Sequence, residues 1–188
     1  MNLVIDIGNT AVKVYLLKNN EIVQREVLNE NNLIHSLKSF PINDIRNIIC
    51  SSVTKSYKDQ ISEIFKKSNY CDFSDTNLKL PFKNSYETKS LGQDRIGLIS
   101  SAVMKFKDQN SLVIDIGTCI TYDFIDSQNI YHGGAISPGI RMRYSSFSNY
   151  TSNLPLLKFQ DITKIIGANT EESLHIGVNN GIVGEINQ

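Results

Sequence analysis

Residues 4–14 read VIDIGNTAVKV, and residues 113–123 read VIDIGTCITYD. In both copies an apolar run contains one Asp, a Gly follows two residues later, and a Thr comes soon after. The apolar residues predict a buried strand, and the Gly predicts a sharp turn where that strand ends. A buried strand explains the Val and Ile residues, whereas the embedded Asp and the repeated Gly need a further reason.

The repeat extends beyond these letters to a unit of three strands joined by two turns. The predicted strands are Asn2–Ile7, Ala11–Leu17 and Glu21–Val27 in the first copy, and 112–116, 120–125 and 130–135 in the second. Such a duplication predicts two related halves that face each other. We therefore expect an α/β fold with halves at residues 1–110 and 111–188, each a mixed sheet that opens with a β-meander and is flanked by helices.

Helical patterns follow each of these meanders. Apolar spacing predicts helices over 30–39, 57–67, 93–106 and 139–149, with a further buried strand at Asn47–Ser52. Asn169, with Glu172 three positions later, is typical of an N-cap and begins a last helix. Gly177, Gly181 and Gly184 share one face of that helix and predict close packing there. Residues 74–91 lack periodicity, which is typical of a functional or partner-facing loop.

The composition argues against several classes of partner. Lys and Arg together number 19, as do Asp and Glu, and the longest basic run is Lys66-Lys67, so we expect neither a nucleic-acid nor a membrane partner. The chain shows no signal-like segment and no apolar stretch near about 18 residues, which favours a cytoplasmic location. Cys50, Cys71 and Cys119 have unrelated spacings and no zinc pattern, so reduced thiols are expected.

The two strand-end turns have the residues that a phosphate site needs. An Asp at a strand end can coordinate a cation, and a Gly without a Cβ lets the backbone approach a ligand closely. Asn9, Thr10 and Thr118 supply donors to a phosphate. One such turn equally fits an ordinary hairpin, but two copies at corresponding places favour a phosphate-binding cleft. The Walker loop and the G-x-G-x-x-G turn are absent from the sequence.

Lys13 lies between two apolar residues of the second predicted strand. It should therefore point away from Val12 and Val14, towards the opposite face of the sheet. It is either a phosphate contact or a lysine that faces solvent.

The segment LGQDR, residues 91–95, brings together a glycine and two charged residues at a predicted helix start. A helix N-terminus favours an ionised Asp94, and Arg95 beside it can hold an anion. Capping combined with surface charge is the alternative explanation. In a cleft, Asp94 could accept a proton from an attacking hydroxyl, since phosphoryl transfer asks little of the base beyond its position.

In order along the chain, these segments resemble the type III pantothenate kinase family of the acetate/sugar kinase–Hsp70–actin superfamily. The matching segments are DIGNTAVK (6–13), Tyr86 ahead of LGQDR (91–95), DIGTCITYD (115–123), GGAISPG (133–139), NLP (153–155) and NT (169–170). The resemblance covers essentially the whole chain. It implies actin-like, ribonuclease H-like halves and ATP-dependent phosphorylation of the primary hydroxyl of pantothenate to 4'-phosphopantothenate, the first step of coenzyme A biosynthesis.

The resemblance also implies roles for individual residues. ATP would be bound by Asp6, Gly8, Asn9, Thr10, Lys13 and Thr118, and a monovalent cation, potassium or ammonium, by Asp115. Pantothenate would be bound by Tyr86, Gly92, Gln93, Asp94, Arg95 and Thr170, with Asp94 as the proton acceptor. The family needs Mg-ATP and forms homodimers whose active site is completed across the interface, which would account for the long 74–91 loop.

Three features depart from the family's pattern. Cys119 stands where the family has a small residue such as Ala, and residues 141–150 match only loosely. Family members continue for some tens of residues beyond position 188, so the second half is expected to be incomplete.

Two other functions stay open at this point. One is a sugar or acetate kinase of the same superfamily. The other is a non-catalytic transcription-accessory protein, against which the neutral charge balance argues.

Overall fold

The computed structural model describes residues 1–75, 77–86 and 91–187 and contains two sheets with flanking helices. The strands are β1 (Asn2–Ile7), β2 (Val12–Lys18), β3 (Glu21–Leu28), β4 (Asn47–Ser52), β5 (Asn69–Asp72), β6 (Lys83–Asn84), β7 (Ser111–Ile116), β8 (Cys119–Ile125) and β9 (Ile130–Pro138). The α-helices are α1 (Leu33–Leu37), α2 (Lys58–Ile64), α3 (Gln93–Lys105), α4 (Ile140–Tyr150) and α5 (Thr170–Ile186), and short 3-10 helices lie at Glu30–Asn32 and Ile42–Asp44.

The first sheet is mixed, with the strand order β3-β2-β1-β4-β5. Strands β1, β2 and β3 pair antiparallel as the predicted meander, and β4 and β5 continue the sheet parallel to β1. The sequence did not predict β5, because the stretch NYCD is short and lacks a run of apolar residues. Its parallel pairing with β4 makes it a strand.

One face of this sheet forms the larger apolar core. Leu3, Ile5 and Ile7 alternate along β1 with no exposed surface, and Leu33 of α1 and Ile61 of α2 are equally buried in the same cluster. Burying each such side chain contributes about 1.5–3 kcal/mol relative to leaving it in water. The alternation of buried residues along β1 therefore marks the face of the sheet that the helices cover.

The second sheet has the order β6-β9-β8-β7 and contains the second meander. Strand β6 runs parallel to β9, with Lys83 opposite Ile130. Part of the predicted 74–91 loop thus forms a short strand, and residues 76 and 87–90 of that loop lie outside the described residues. The predicted fold class, α/β with two mixed sheets, meanders and flanking helices, is confirmed.

The two copies of the repeat have different surroundings. Leu3 and Ile7 in β1 have no exposed surface, whereas the matching Leu112 and Ile116 in β7 are 56% and 55% exposed. Strand β1 lies between β2 and β4, while within the described part of the chain β7 is an edge strand with β8 as its one neighbour. The same letters are therefore core in one copy and surface in the other.

Contacts group the chain into two compact units, residues 1–113 with 123–133, and residues 114–122 with 134–188. The first unit contains the large core and a smaller cluster around α3, and the second contains a cluster of β8, α4 and α5 side chains. The boundary between duplicated halves at residues 110 and 111 stays a prediction.

The last helix begins as predicted but does not pack as predicted. The Asn169 side chain accepts a hydrogen bond from the Glu172 N–H at 2.9 Å, which confirms the N-cap. The expected close packing of the three glycines is wrong. Among the described residues, nothing lies within 4 Å of a Cβ built on Gly177 or Gly184, and at Gly181 that atom meets only Arg143, at 3.3 Å.

The open glycine face has a structural consequence in the second unit. Gly177 lines a groove of about 520 Å³ together with Met142, Phe147, Tyr150 and Val178.

A search of the described helices for one that could span a bilayer finds none of sufficient length and apolarity.

Candidate active site

The first turn lies between β1 and β2 and is closed by a backbone hydrogen bond. The Gly8 N–H donates to the Ala11 carbonyl at 3.2 Å, and a Cβ on Gly8 would lie 3.3 Å from that oxygen. Such a contact is tighter than most that side chains make, so glycine keeps this turn narrow. Asn9 at its tip and Thr10 just after it are both exposed.

Asp6 and Lys13 face each other across this turn. They are register partners in β1 and β2, and Lys13 Nζ lies 3.5 Å from Asp6 Oδ2. Val12 and Val14 are fully buried, which confirms that Lys13 points to the other face. An exposed ion pair is worth about 0–1 kcal/mol, so a phosphate can compete with Asp6 for the ammonium group.

The start of α3 holds the predicted proton acceptor. Gly92 is the N-cap residue, and Asp94 lies half-buried in the first turn, where its Oδ1 accepts a hydrogen bond from the Arg95 N–H at 2.8 Å. A Cβ on Gly92 would lie only 2.6 Å from that Oδ1. Glycine therefore leaves the space that the carboxylate occupies.

Gln93 connects the start of α3 to the end of the first sheet. Its Oε1 accepts a hydrogen bond from the Ser52 N–H at 3.0 Å, and Ser52 is the parallel register partner of Ile7, the residue before Gly8. The first turn and the start of α3 are thus neighbours at the carboxyl ends of β1 and β4. A polar cavity of about 140 Å³ opens there, lined by Ser52, Lys55, Ser74 and Gln93 among others.

Arg95 is buried and already holds an anion, the carboxylate of Asp123. Its side chain is 8% exposed, with Nε 3.0 Å and Nη2 2.6 Å from Asp123 Oδ1. Burial disfavours the charged guanidinium, but the hydrogen bond and charge of Asp123 outweigh it, so the pKa of Arg95 lies above its ordinary value. The alternative that Arg95 is a surface charge is therefore wrong.

Tyr86 lies next to Arg95, so two predicted substrate residues meet in the structure. The Arg95 guanidinium carbon is 5.8 Å from the centre of the Tyr86 ring. That ring also lies 6.1 Å from the ring of Tyr131. With 38% of its surface exposed, Tyr86 can contact a ligand as well as its protein neighbours.

The second turn joins β7 and β8 and contains Asp115 and Thr118, both exposed. The Gly117 N–H donates to the Cys119 carbonyl at 2.9 Å, and the Gly139 N–H donates to the Thr118 carbonyl at 3.1 Å. A Cβ on Gly139 would lie 2.2 Å from that carbonyl oxygen. Gly139, the residue directly after β9, therefore packs on the second turn.

A polar network holds the residues before Gly139 in place. Glu185 accepts hydrogen bonds from Ser137 at 2.8 Å, from Arg143 at 2.5 Å and from Tyr122 at 3.2 Å. Arg143 also donates to the Pro138 carbonyl at 2.8 Å. The network thus ties α4 and α5 to the segment that contacts the second turn.

We expect the stability of the protein to depend on Glu185 at acid pH. Hydrogen bonds from Arg143 and Ser137 hold the pKa of Glu185 below its ordinary value. A carboxylate with a lowered folded-state pKa stabilises the fold above its unfolded pKa, about 4.3, and the contribution is lost as the pH falls through the folded value. The melting temperature should therefore fall more steeply below about pH 4.3 in the unmodified protein than in Glu185→Gln.

Thermal melts at a series of pH values measure this difference. Glu63→Gln, on the exposed side of α2, is the matched control and should follow the unmodified protein. Parallel curves for Glu185→Gln and the unmodified protein would show that the ionised Glu185 carboxylate does not contribute to stability.

Thr170 is the first residue of α5 and is exposed beside its N-cap. It belongs to the same compact unit as Asp115 and Thr118, whereas Asp6, Lys13, Tyr86 and residues 92–95 belong to the other unit. The structure therefore assembles the predicted residues into two groups, one in each unit. The assigned roles of these residues stay predictions.

Sequence reasoning gave no role to Asp123 or Tyr131, although a signal for Asp123 was present. Within β8, Thr121, Asp123 and Ile125 alternate on the buried side of the strand. An acidic residue at a buried position of a strand needs a partner of opposite charge. The matching residue in the first copy is the apolar Val14, so the two copies differ here.

The carboxylates at the two turns suit a cation that arrives with a nucleotide. In the described ranges, no cluster of three or more His, Cys, Asp or Glu side chains could hold a metal ion alone. Magnesium is commonly held by one or two carboxylates together with substrate phosphates and water. Asp6, near the end of β1, fits this mode of binding.

Comparisons with known proteins agree on one family. A family model described as type III pantothenate kinase matches residues 2–188. The type III pantothenate kinase of Flavobacterium psychrophilum is 42% identical over 189 residues, which cover 99% of this chain and 78% of that protein. The enzyme of the same name from Christiangramia forsetii is also 42% identical, over 99% of this chain and 77% of its own length.

A solved structure has a similar fold. It is that of a Campylobacter jejuni protein assigned to the Baf family of transcriptional activators. The TM-score is 0.66 at 25% identity, and the match covers 98% of this chain and 77% of that one.

Proposed function

Because the chain belongs to the type III pantothenate kinase family, we propose that its two turns and the start of α3 are the working parts of the active site. The activity is ATP-dependent phosphorylation of pantothenate in coenzyme A biosynthesis. ATP and a divalent cation take part in this reaction. The chain spans about three quarters of the length of these relatives.

The position of Asp94 carries the proposed mechanism. Its carboxylate lies in the first turn of α3, fixed by the Arg95 N–H and accommodated by Gly92. The bond engages Oδ1, and Oδ2 is the oxygen that would accept the proton from the primary hydroxyl of pantothenate. In a loose transition state such a carboxylate acts mainly by holding the attacking hydroxyl in line.

The first turn would bind the phosphates of ATP. The narrow turn at Gly8 exposes Asn9, followed by Thr10, and Lys13 can exchange its exposed contact with Asp6 for a phosphate oxygen. When bound, the divalent cation neutralises charge on the transferred phosphoryl group. Asp6 is the residue of this turn that would hold it, directly or through water.

The second turn would bind the nucleotide and a monovalent cation. The Gly139 N–H holds the Thr118 carbonyl, which fixes the backbone from which the Thr118 hydroxyl projects. Asp115, at the end of β7, would hold potassium or ammonium, since a carboxylate is a hard oxygen ligand.

Pantothenate would bind against Tyr86, Gly92, Gln93 and Arg95 of the first unit. A cavity of about 140 Å³ supports this assignment, because Gln93, the residue before Asp94, lines it together with several hydroxyl groups. A polar substrate with hydroxyl, amide and carboxylate groups suits such a lining.

We also propose that the protein is a homodimer in the cytoplasm. Support for a dimer comes from the groove between α4 and α5 and from exposed apolar side chains in and beside it, namely Met142, Tyr150 and Val183. Exposed apolar patches of this kind commonly mark protein interfaces. The three cysteines are free, which agrees with a reducing compartment.

A coupled assay of ADP release tests the proposed function. We expect turnover with pantothenate to exceed turnover with a panel of sugars, acetate and other small acids by at least about 100-fold, since a site built for specific polar contacts rejects analogues that lack them. Potassium or ammonium should raise the rate over that in a buffer that contains sodium alone.

Two outcomes would contradict these proposals. Preference for a sugar or acetate would identify another kinase of the superfamily, and a rate that is indifferent to potassium and ammonium would remove the monovalent cation. The Campylobacter jejuni protein is described as a transcriptional activator, so DNA binding by this protein is tested in parallel. Strong binding that weakens steeply with salt would favour the accessory role.

A further inference from the structure

We propose that Asp123 and Tyr131 are positioning residues that hold Arg95 and Tyr86 in the arrangement needed to bind the substrate. The inference rests on the proposed function, since Arg95 and Tyr86 are taken there as substrate contacts. Neither Asp123 nor Tyr131 would touch the substrate. They would act through the side chains that do.

The three polar side chains form a closed and buried triangle. Arg95 Nη2 lies 2.6 Å from Asp123 Oδ1 and 2.7 Å from the Tyr131 hydroxyl, which itself donates to Asp123 Oδ1 at 2.7 Å. Asp123 and Tyr131 have no exposed surface, and Arg95 has 7%. Burial and the bond to Asp123 also raise the pKa of the Tyr131 phenol, so the hydroxyl keeps its proton and remains a donor.

A buried triangle of this kind fixes the direction of the guanidinium group. Removing one partner of a buried ion pair leaves an uncompensated buried charge, which is strongly unfavourable. Arg95 therefore cannot leave Asp123 to follow a ligand. Stability alone does not demand this arrangement, because apolar side chains of similar volume commonly stabilise such a site as well or better.

The triangle controls the position of the start of α3. Gln93 is attached to Ser52 at the end of β4, and Arg95 is attached to Asp123 in β8, so two separate strands hold the residues on either side of Asp94. A shift of about 1 Å at a reacting group can lower a rate by about 100-fold. The Arg95 attachment therefore bears directly on where the Asp94 carboxylate lies.

The same residues form a slot for the ring of Tyr86. The Arg95 guanidinium carbon lies 5.8 Å, and the centre of the Tyr131 ring 6.1 Å, from the centre of the Tyr86 ring. Gly133 also adjoins this ring, since a Cβ there would be 3.1 Å from Tyr86 Cδ2, and its backbone has a φ of +104°. Tyr131 thus supports both predicted substrate residues at once.

The difference between the two repeats supports a role beyond folding. Val14 occupies the position of Asp123 in the first copy and is fully buried in an apolar core. A meander strand therefore folds well with an apolar residue at this position. The acidic residue occurs only in the copy whose strand contacts the Arg95 side chain.

Steady-state kinetics of Asp123→Asn and Tyr131→Phe test the inference. For Asp123→Asn we expect kcat/KM for pantothenate to fall by about 100-fold, and for Tyr131→Phe by about 10-fold, the usual weight of one hydrogen bond to a charged group. The KM for ATP should stay within about twofold, because the first turn keeps its structure. If the two residues served stability alone, the variants would have a lower melting temperature but would not lose kcat/KM for pantothenate selectively while keeping the KM for ATP.

The matched control is Asp126→Asn. Asp126 lies just after β8 and pairs with the exposed His132 at 2.7 Å, so its loss should leave both KM values unchanged. If Asp123→Asn fails to fold, Tyr131→Phe decides the question, since it removes one hydroxyl and keeps the ring.

Three results are decisive. A folded Tyr131→Phe with the kinetics of Asp126→Asn overturns the inference and leaves the proposed function intact. Equal losses for pantothenate and ATP also overturn it, because they indicate a general structural defect. An unmodified enzyme that does not phosphorylate pantothenate overturns the proposed function and this inference together.

Discussion

Asp94→Asn should lower turnover by about 10²–10⁴-fold, the usual contribution of a positioned general base, while ATP binding is retained. The amide has nearly the shape of the carboxylate, so its oxygen can still accept the hydrogen bond from the Arg95 N–H that now fixes Oδ1. It cannot accept the proton of the substrate hydroxyl. The loss should therefore appear in kcat, measured by ADP release at saturating pantothenate, with little change in nucleotide affinity measured by calorimetry.

Asp108→Asn provides the control for this substitution. Asp108 follows the same helix, is exposed and has a φ of +57°, a conformation that Asn adopts as readily as Asp. Turnover should be unchanged in this variant. If Asp94→Asn retained full turnover, Asp94 would have no part in proton transfer, and the start of α3 would serve only to bind the substrate.

The second large effect is expected for Gly139→Ala. The added Cβ would lie 2.2 Å from the Thr118 carbonyl oxygen and 2.4 Å from that of Gly117. Both atoms belong to the backbone, so neither can rotate aside as the end of a flexible side chain does. The backbone of Gly139 has a φ of −70° and a ψ of 172°, which alanine adopts without strain, so the effect is one of space alone.

Relief of this clash must move the second turn. We expect the variant to lose about 1–3 kcal/mol of stability, the usual cost of forcing extra volume into a packed site. Nucleotide affinity should fall by at least about 10-fold, because Thr118 shifts with its carbonyl. Chemical denaturation and calorimetric titration with a non-hydrolysable ATP analogue measure the two quantities.

Gly184→Ala is the matched control, since nothing in the described structure lies within 4 Å of its added Cβ. A Gly to Ala change inside a helix stabilises by about 0.5–1 kcal/mol, and nucleotide affinity should not change. If Gly139→Ala bound the nucleotide as tightly as the unmodified protein does, the second turn would have no part in ATP binding.

Much of the local structure could be predicted from the sequence because it depends on neighbours along the chain. The apolar run in VIDIG predicted the strands β1 and β7, and the alternation of Lys13 with the apolar Val12 and Val14 predicted its outward position. The N-cap at Asn169 was likewise visible in four consecutive residues. Strand periodicity, turns and caps are properties of a few adjacent residues, so a pattern suffices.

Other features depended on pairing between distant segments. Strand β5 exists because it pairs with β4, and the glycine face of α5 is open because no neighbouring element covers Gly177 or Gly184 within the described residues. A repeated small residue shows that close packing is sterically allowed. It does not show that a partner is present.

The sequence by itself determined the two meanders, the Gly- and Thr-containing turns after their first strands, and the family to which the protein belongs. Only the tertiary structure decided that Leu3 is core while Leu112 is surface, and that Arg95 binds Asp123, which lies 28 residues away. It also decided that Gly139 must lack a side chain, because Thr118 packs against it. Strand periodicity and turn geometry depend on adjacent residues. Burial, ion pairing and the space available to a side chain depend on which distant segments the fold brings into contact.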